Sequence, residues 1–505
     1  MTRPLPVPIQ SFDSSGCVRS PDGIVRYQHR PASLIEMMRA SVDRAAGEVA
    51  LVEVGGERIA YGEWWRRASH VAGGLRAAGV ARGDRVALRL PNGVDWCVAF
   101  FGIQMAGAIA VPVNTRFTDA EAAYVVTDSG SRFIFVPNEP MPCAAPFVCD
   151  DIVRTDVSAI FYTSGTTGFS KGAMLTHEGF LANTETCRRV GLLPAGTTVR
   201  SLVSVPLFHV TGCNSQLLAT CEAGGTTVIM RSFDVRTFLD TIEAERIDAT
   251  LSVPAIYWRA INHLGFRDRD MSSVRWLGYG GAPIAPDLVQ SVIEAFPNAR
   301  VVNAFGLTET SGVATSLPHE YARTRPESVG FAVPVVDLAL ADAVADVGEL
   351  IVRGPNVVPG YWNNPAATAE AFTDGWLRTG DVARIDRDGF VQILDRKKDL
   401  INRGGEKVHC VEVEGALAAH PAVFEAAVMG VPDPMMGEKV GAVVVLKPGH
   451  AAAIGDLLDC VRARLADYKT PQYVVLQTEQ LPRNAGGKIL KKSLRQSVEW
   501  GAPVW

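Results

Sequence analysis

Apolar positions recur along the chain at two spacings, and the spacing that dominates changes near residue 347. From residue 32, LIEMMRASVDRAA has its apolar residues three and four apart, which predicts a helix. A short strand pair follows over 48–59. The segment EWWRRASHVAGGLRAAG is again helical, with Gly79 and Gly83 as stop signals. Next come a strand (DRVALRL), a helix (VDWCVAFFGIQMAGA), a strand (AIAVPV), a helix (DAEAAYVVTDSG) and a strand (RFIFV). This alternation runs to about residue 315 and predicts a layered α/β core with a largely parallel sheet. Residues 1–30, rich in Pro and Ser, read as a loose arm. Beyond 347, GELIVRGPNVVPGYW and TGDVARIDRDGFVQILDR read as short strands, with Asp386-Arg387-Asp388-Gly389 as a hairpin turn. DRKKDLINRGGEKV then packs eight charged residues and two adjacent glycines together. Such a stretch is a linker, turn or ligand-facing loop. After it comes a compact helix–strand–strand–helix–strand pattern. The predicted architecture is therefore a large α/β domain of mixed and parallel sheets over residues 1–396, followed by a small, mobile α+β domain over 397–505.

Composition narrows the picture. The 505 residues are 47% hydrophobic and 20% charged, which excludes a disordered chain. A net charge of −5 offers no electrostatic footprint for nucleic acid. No secretory leader is visible in the first residues. Two stretches, 96–115 and 201–221, lack Asp, Glu, Lys and Arg and approach the length of a membrane helix. Gln104, Pro112 and Asn114 interrupt the first, and Pro206, His209, Asn214 and Gln216 the second. Both read as buried core rather than as an integral membrane segment. The nine cysteines include no C-x-x-C pair, as expected of reduced thiols in a cytoplasmic protein.

The most informative segment is FYTSGTTGFSKGA, residues 161–173. It offers hydroxyls at Thr163, Ser164, Thr166 and Thr167, backbone freedom at Gly165 and Gly168, and a cation at Lys171. Phosphate oxygens need such donors, and glycine removes the Cβ that would block their approach. The Walker spacing is not met. Taken alone, the cluster serves equally well as a polar turn between strands.

The string resembles the signature loop of the adenylate-forming superfamily, which includes acyl-CoA synthetases. Further segments repeat the resemblance in order. Tyr279-Gly280-Gly281-Ala282-Pro283-Ile284 resembles the strand end that faces adenine and acyl group. Ala304-Phe305-Gly306-Leu307-Thr308-Glu309-Thr310 resembles the "YGxTE" segment, with Phe305 replacing the tyrosine. Arg378-Thr379-Gly380-Asp381 resembles the "TGD" motif, Asp395-Arg396-Lys397-Lys398 the hinge, and Asn402-Arg403-Gly404-Gly405-Glu406-Lys407 the loop after it. Pro482 to Lys488 resembles the C-terminal "P-x-x-x-x-G-K" loop. Ser170 departs from the proline usual before the loop lysine, which implies a more flexible loop.

The resemblance implies an acid–CoA ligase (AMP-forming) with ATP, Mg²⁺ and coenzyme A. Lys488 would bridge carboxylate and α-phosphate, and Glu309 with Thr166 would hold Mg²⁺. Thr163 to Gly168, Lys171, Gly281 to Pro283 and Ala304 to Thr308 would cradle ATP, with Asp381 and Arg396 on the ribose. His209, Gly212, Cys213, Gly280, Gly281, Gly306 and Val313 would line the acyl pocket, small residues leaving room for a chain or ring. Lys398 would be the hinge that swaps the Lys488 loop for Gly404, Gly405 and Glu406, which would line the CoA channel. The pocket strings 208–216, 278–284 and 303–315 hold no Arg or Lys. A second buried carboxylate would lack a partner, so the expected substrate is a monocarboxylic acid, fatty, aryl or alicyclic. The nearest rival is an acyl-AMP ligase that loads a carrier protein. A homodimer is left open.

Overall fold

The computed structural model describes residues 12–163, 170–193, 199–397, 399–404, 406–483 and 489–505. A nine-stranded sheet forms the centre, and its middle strands run parallel: Arg300–Leu307, Trp276–Gly280, Ala249–Ser252, Arg200–Val203, Thr226–Ile229 and Val49–Glu53. Antiparallel strands close both edges. A second sheet pairs Phe133–Phe135, Arg85–Leu88, Ile109–Pro112 and Val157–Thr163 in parallel, then adds Lys171–Thr176 antiparallel. A third, antiparallel sheet includes Val347–Arg353, Trp376–Ile385 and Val391–Arg396. The Asp386–Gly389 turn does join the last two, as expected. A fourth sheet, built on Val423–Asp433 and Gly437–Leu446, carries the C-terminal α+β unit. The charged stretch after Arg396 folds as a small hairpin, Ile401–Arg403 against Glu406–Val408.

The N-terminal arm differs from the expectation. Cys17–Arg19 and Val25–Tyr27 form an antiparallel hairpin. Arg19 pairs with Asp337, and the Tyr27 hydroxyl lies 3.0 Å from Thr186 Oγ1, so tertiary contacts order a segment with no helical or strand period of its own.

The first charge-free stretch is core. Helix Val94–Met105 is buried on nearly every face, with Trp96 stacked on Phe100 at 5.2 Å and Phe100 edge-on to Phe101 and Phe180. Each such side chain removed from water contributes roughly 1.5–3 kcal/mol. Gln104, the polar exception, exchanges two hydrogen bonds with Ser158. Among the described residues no helix is long and apolar enough to cross a membrane.

His177 joins two parts of this core. Its Nδ1 accepts from the Leu34 N–H at 3.2 Å, at the start of helix Leu34–Ala45. Burial pushes its pKa down to about 4 from 6.5. Between those values the unfolded chain binds the proton and the folded chain does not, so stability falls as pH drops from 6.5 towards 4. A shift of this size corresponds to roughly 3 kcal/mol lost at the acid end. Thermal unfolding measured across that range should show the slope, and His177→Gln should flatten it. An unchanged slope would count against a neutral His177.

Candidate active site

Thr163, His209, Gly280 and Leu307 stand at or just past the carboxyl ends of parallel strands, where open α/β sheets bind ligands. Strand Trp276–Gly280 ends at Gly280, followed by Gly281 at φ +74°. A Cβ on Gly281 would meet only Val253, at 3.8 Å, so space does lie there. Gly280 and Gly306 are small for another reason. A Cβ on Gly280 would sit 2.1 Å from the Ala304 carbonyl oxygen, and one on Gly306 1.7 Å from that of Gly312. At these two positions glycine lets backbones approach; it does not leave room for an acyl chain as expected. Gly212 is similar, since a Cβ there would lie 2.4 Å from the Pro206 carbonyl oxygen.

Thr163 and Lys171 face each other across an antiparallel pair, so the base of the signature loop is fixed by the second sheet. The Tyr124 hydroxyl donates to the Ser170 carbonyl at 3.2 Å. Ser164, Gly165, Thr166, Thr167 and Gly168 lie outside the described residues, as do Lys398, Gly405 and Lys488.

Strand Arg300–Leu307 carries Ala304, Phe305, Gly306 and Leu307 and then tightens into a single turn over Thr308–Thr310. The Thr310 hydroxyl accepts from the Leu307 N–H at 2.8 Å, and the Glu309 carbonyl accepts from the Val358 N–H at 3.0 Å. Both bonds fix the backbone from which the Glu309 carboxylate projects. Its Oε1 accepts from the Tyr361 hydroxyl at 2.8 Å.

Tyr361 was not legible in the sequence, yet it joins the motifs. Lys171 Nζ sits 5.2 Å above its ring, its hydroxyl holds Glu309, and Ala173 bridges to its backbone. Burial raises its pKa, the Glu309 charge raises it further, and Arg396 opposes both. Its local setting, GYWNNP, carries no signal beyond a turn.

Asp381 and Arg396 lie directly opposite each other in strands Trp376–Ile385 and Val391–Arg396. Asp381 Oδ1 is 2.7 Å from Arg396 Nε, and Asp381 is buried. A buried carboxylate with a charged partner differs from a surface ion pair, which contributes little. Beside them Glu349, also missed in the sequence, receives Arg378, Lys397 and the Gly380 N–H.

His209 precedes a helix that passes into a π-helical turn, Cys213–Leu218. Burial lowers its pKa to about 4, so it is neutral near pH 7. The Cys213 thiol is fully buried and its pKa is pushed well up, which removes it as a nucleophile. Val313 is buried on strand Gly312–Leu317, its N–H held by Asn183 at 2.8 Å. Gly404 has φ +60° and donates to the Met436 carbonyl at 2.7 Å, beside the exposed Glu406.

A cavity of about 290 Å³ opens between the large domain and the C-terminal unit. Phe208 and Val253 line it from one side, Phe424 and Arg483 from the other. Trp258 and Phe424 meet edge to face at 4.4 Å beside it. Arg116, Arg231, Arg259 and Arg483 all reach this cavity.

Two family profiles match the chain: the AMP-binding enzyme profile over residues 38–152 and 142–362, and the AMP-binding enzyme C-terminal domain profile over 412–488. The chain belongs to the AMP-binding enzyme family. It is 36% identical to a feruloyl-CoA synthase of an Amycolatopsis species over 480 residues, covering 90% of this chain and 96% of that one. It is 34% identical to the long-chain-fatty-acid–CoA ligase FadD13 of Mycobacterium tuberculosis, covering 88% and 94%. The solved structure of the anthranilate CoA ligase AuaEII with anthranoyl-AMP superposes with a TM-score of 0.85 at 26% identity, covering 92% and 97%.

Proposed function

We propose that this protein activates a monocarboxylic acid with ATP and passes the acyl group to coenzyme A. One observation carries the reading: the Tyr361 side chain joins Lys171 and Glu309, which belong to two separated motifs. Cations that neutralise phosphate beside a carboxylate that tolerates a metal suit a reaction between two anions. The carboxylate oxygen of the acid attacks the α-phosphorus and pyrophosphate leaves. The thiol sulfur of CoA then attacks the acyl carbonyl and AMP leaves.

The residues fit Mg²⁺. Among the described residues Glu309 commits one oxygen to Tyr361, and the other suits an ion. Mg²⁺ takes one or two carboxylates and completes its shell with water and substrate phosphates. When bound it would neutralise the phosphate oxygens near Glu309 and Thr166. Asp381 accepts from the ribose hydroxyls while Arg396 holds its carboxylate in place. Neutral His209 walls the acyl pocket and carries no proton in the reaction. Lys488 supplies the cation between carboxylate and α-phosphate, and Lys398 is the hinge on which residues 397–505 turn between the two half-reactions. In the second, Gly404, Gly405 and Glu406 line the thiol channel. The four arginines of the interdomain cavity suit the phosphates of CoA. The relatives' names span an aryl and a fatty acid, so they do not select between these classes.

The test is pyrophosphate release with Mg-ATP over a panel of fatty, aryl, alicyclic and dicarboxylic acids, each with and without CoA. Acid-dependent release that CoA accelerates is the expected result. Adenylate that CoA fails to discharge would move the acceptor to a carrier protein. No release with any acid, or faster turnover of dicarboxylic acids, would overturn the reading.

A further inference from the structure

Trp258 and Phe424 make an aromatic contact across the seam between the two domains. Trp258 stands on helix Pro254–Ile261 of the large domain, and Phe424 on strand Val423–Asp433 of the C-terminal unit. Their rings meet at 4.4 Å with 63° between the planes, the edge-to-face geometry that the charge distribution of two rings favours. Ile256, Tyr257 and Ala260 of the same helix turn into the core of the large domain, and Trp258 does not pack into it. Half-buried, its ring leans on the other domain instead. Phe424 lines the interdomain cavity and Trp258 stands behind that wall, so Trp258 meets no ligand there.

The next residue of the strand ties this contact to the segment that leads to Lys488. Glu425 is buried, accepts from the Leu481 N–H at 2.7 Å and pairs with Arg483. Arg483 precedes residues 484–488 directly, and with Gln480 it lines the cavity. No described residue of the 401–408 hairpin lines that cavity, and Glu406 and Lys407 are exposed. The arrangement seen is therefore the one in which the 480–483 side of the C-terminal unit meets the large domain. A turn of residues 397–505 that brought the hairpin to the cavity would carry Arg483 away. Phe424 would leave with it, because Glu425 joins the two. The Trp258–Phe424 contact thus belongs to one arrangement only.

We infer that Trp258 is a positioning residue: its ring, clasping Phe424, holds the C-terminal unit where adenylate forms and so sets the balance between the two half-reactions. This rests on the two-step reading above. A contact made in one arrangement only shifts the equilibrium by its whole differential free energy. Each half-reaction runs in proportion to the population of its own arrangement. The ratio of the two rates therefore follows the equilibrium, whichever arrangement predominates. An aromatic pair of this geometry moves such a ratio by about three- to tenfold.

The test uses the acid of the panel that the wild type turns over fastest, together with its synthetic acyl-adenylate. Single-turnover pyrophosphate release without CoA gives the first rate, and thioester formation from the adenylate and CoA gives the second. Both are measured for the wild type, Trp258→Ala, Trp258→Phe, Phe424→Leu and the double variant Trp258→Ala/Phe424→Leu. Trp258→Ala should lower the ratio of first to second rate by about three- to tenfold, with the second unchanged or faster. Trp258→Phe should recover most of the ratio, since a ring still meets Phe424. The double variant should fall no further than Trp258→Ala, because one contact is lost only once. A merely structural Trp258 would lower both rates together. An unchanged ratio, a larger loss in the second rate, or additive losses in the double variant would overturn the inference and leave the acid–CoA ligase reading standing. Failure of every acid to release pyrophosphate would instead remove that reading and this one with it. Phe424 also packs on the core of the C-terminal unit, so if its variants fail to fold the two Trp258 variants decide.

Discussion

Glu309→Gln should slow adenylate formation by about 10²–10³-fold, the range seen when one preorganised electrostatic partner of a transition state is removed. The substitution keeps the shape of the side chain and an oxygen that accepts from the Tyr361 hydroxyl, so that 2.8 Å contact survives. It removes only the charge. The backbone of the turn is held by Val358 and Thr310, neither of which depends on the carboxylate. The melting temperature should therefore stay close to that of the wild type, while the Mg²⁺ concentration needed for half-maximal pyrophosphate release rises. Tyr361→Phe is the useful comparison. It frees the carboxylate without removing it, so it should lower the rate less and leave the Mg²⁺ requirement nearer the wild-type value. Full rate and unchanged Mg²⁺ dependence in the Glu309→Gln variant would remove Glu309 as the metal ligand.

The contrast between Glu309 and Tyr361 shows what was legible in the sequence. Glu309 stands in an ordered run of small and hydroxyl residues whose resemblance to a family motif implied its role at Mg²⁺. Tyr361 stands in a turn and acquires its role only because strand Lys171–Thr176 runs past it, through the Ala173 bridge and the bond from the Met174 N–H to the Gly360 carbonyl. That contact spans nearly two hundred residues, and no local pattern encodes it. Asp381 and Arg396 were legible through the resemblance as a pair on the ribose, but the burial of the carboxylate was not. Only the register of two antiparallel strands makes them neighbours and buries the carboxylate. The glycines were read correctly as positions without side chains, but the reason differs from place to place. Gly281 borders open space, whereas Gly280 and Gly306 admit a neighbouring carbonyl. Spacing alone does not separate these cases, since both look like small residues at a strand end.

Lys488→Ala should separate the two half-reactions. Adenylate formation should fall by about 10²–10³-fold, because two anions must meet and the cation between them is gone. Thioester formation from a synthetic acyl-adenylate and CoA should be nearly unchanged, because a neutral thioester forms there without a new meeting of carboxylate and phosphate. The described residues on either side of 484–488 are held together near the interdomain cavity. Arg483 bridges to Ile489, the Leu490 N–H donates to the Pro482 carbonyl at 2.8 Å, and Arg483 is held by Glu425 while lining the cavity. Arg483 and Ile489 thus lie side by side, and Arg483 lines the cavity. Lys491 offers the control. Three residues further on, it is buried against Glu414 at 2.7 Å; desolvation lowers its pKa, but Glu414, Cys410 and Asp395 together raise it further than that. Removing it leaves a buried carboxylate unpaired, so Lys491→Ala should destabilise the C-terminal unit and lower both half-reactions together. Selective loss of the first half-reaction at 488, set against joint loss at 491, separates a lysine that acts on substrate from one that holds the domain. Equal loss of both half-reactions in the two variants would deny Lys488 its role.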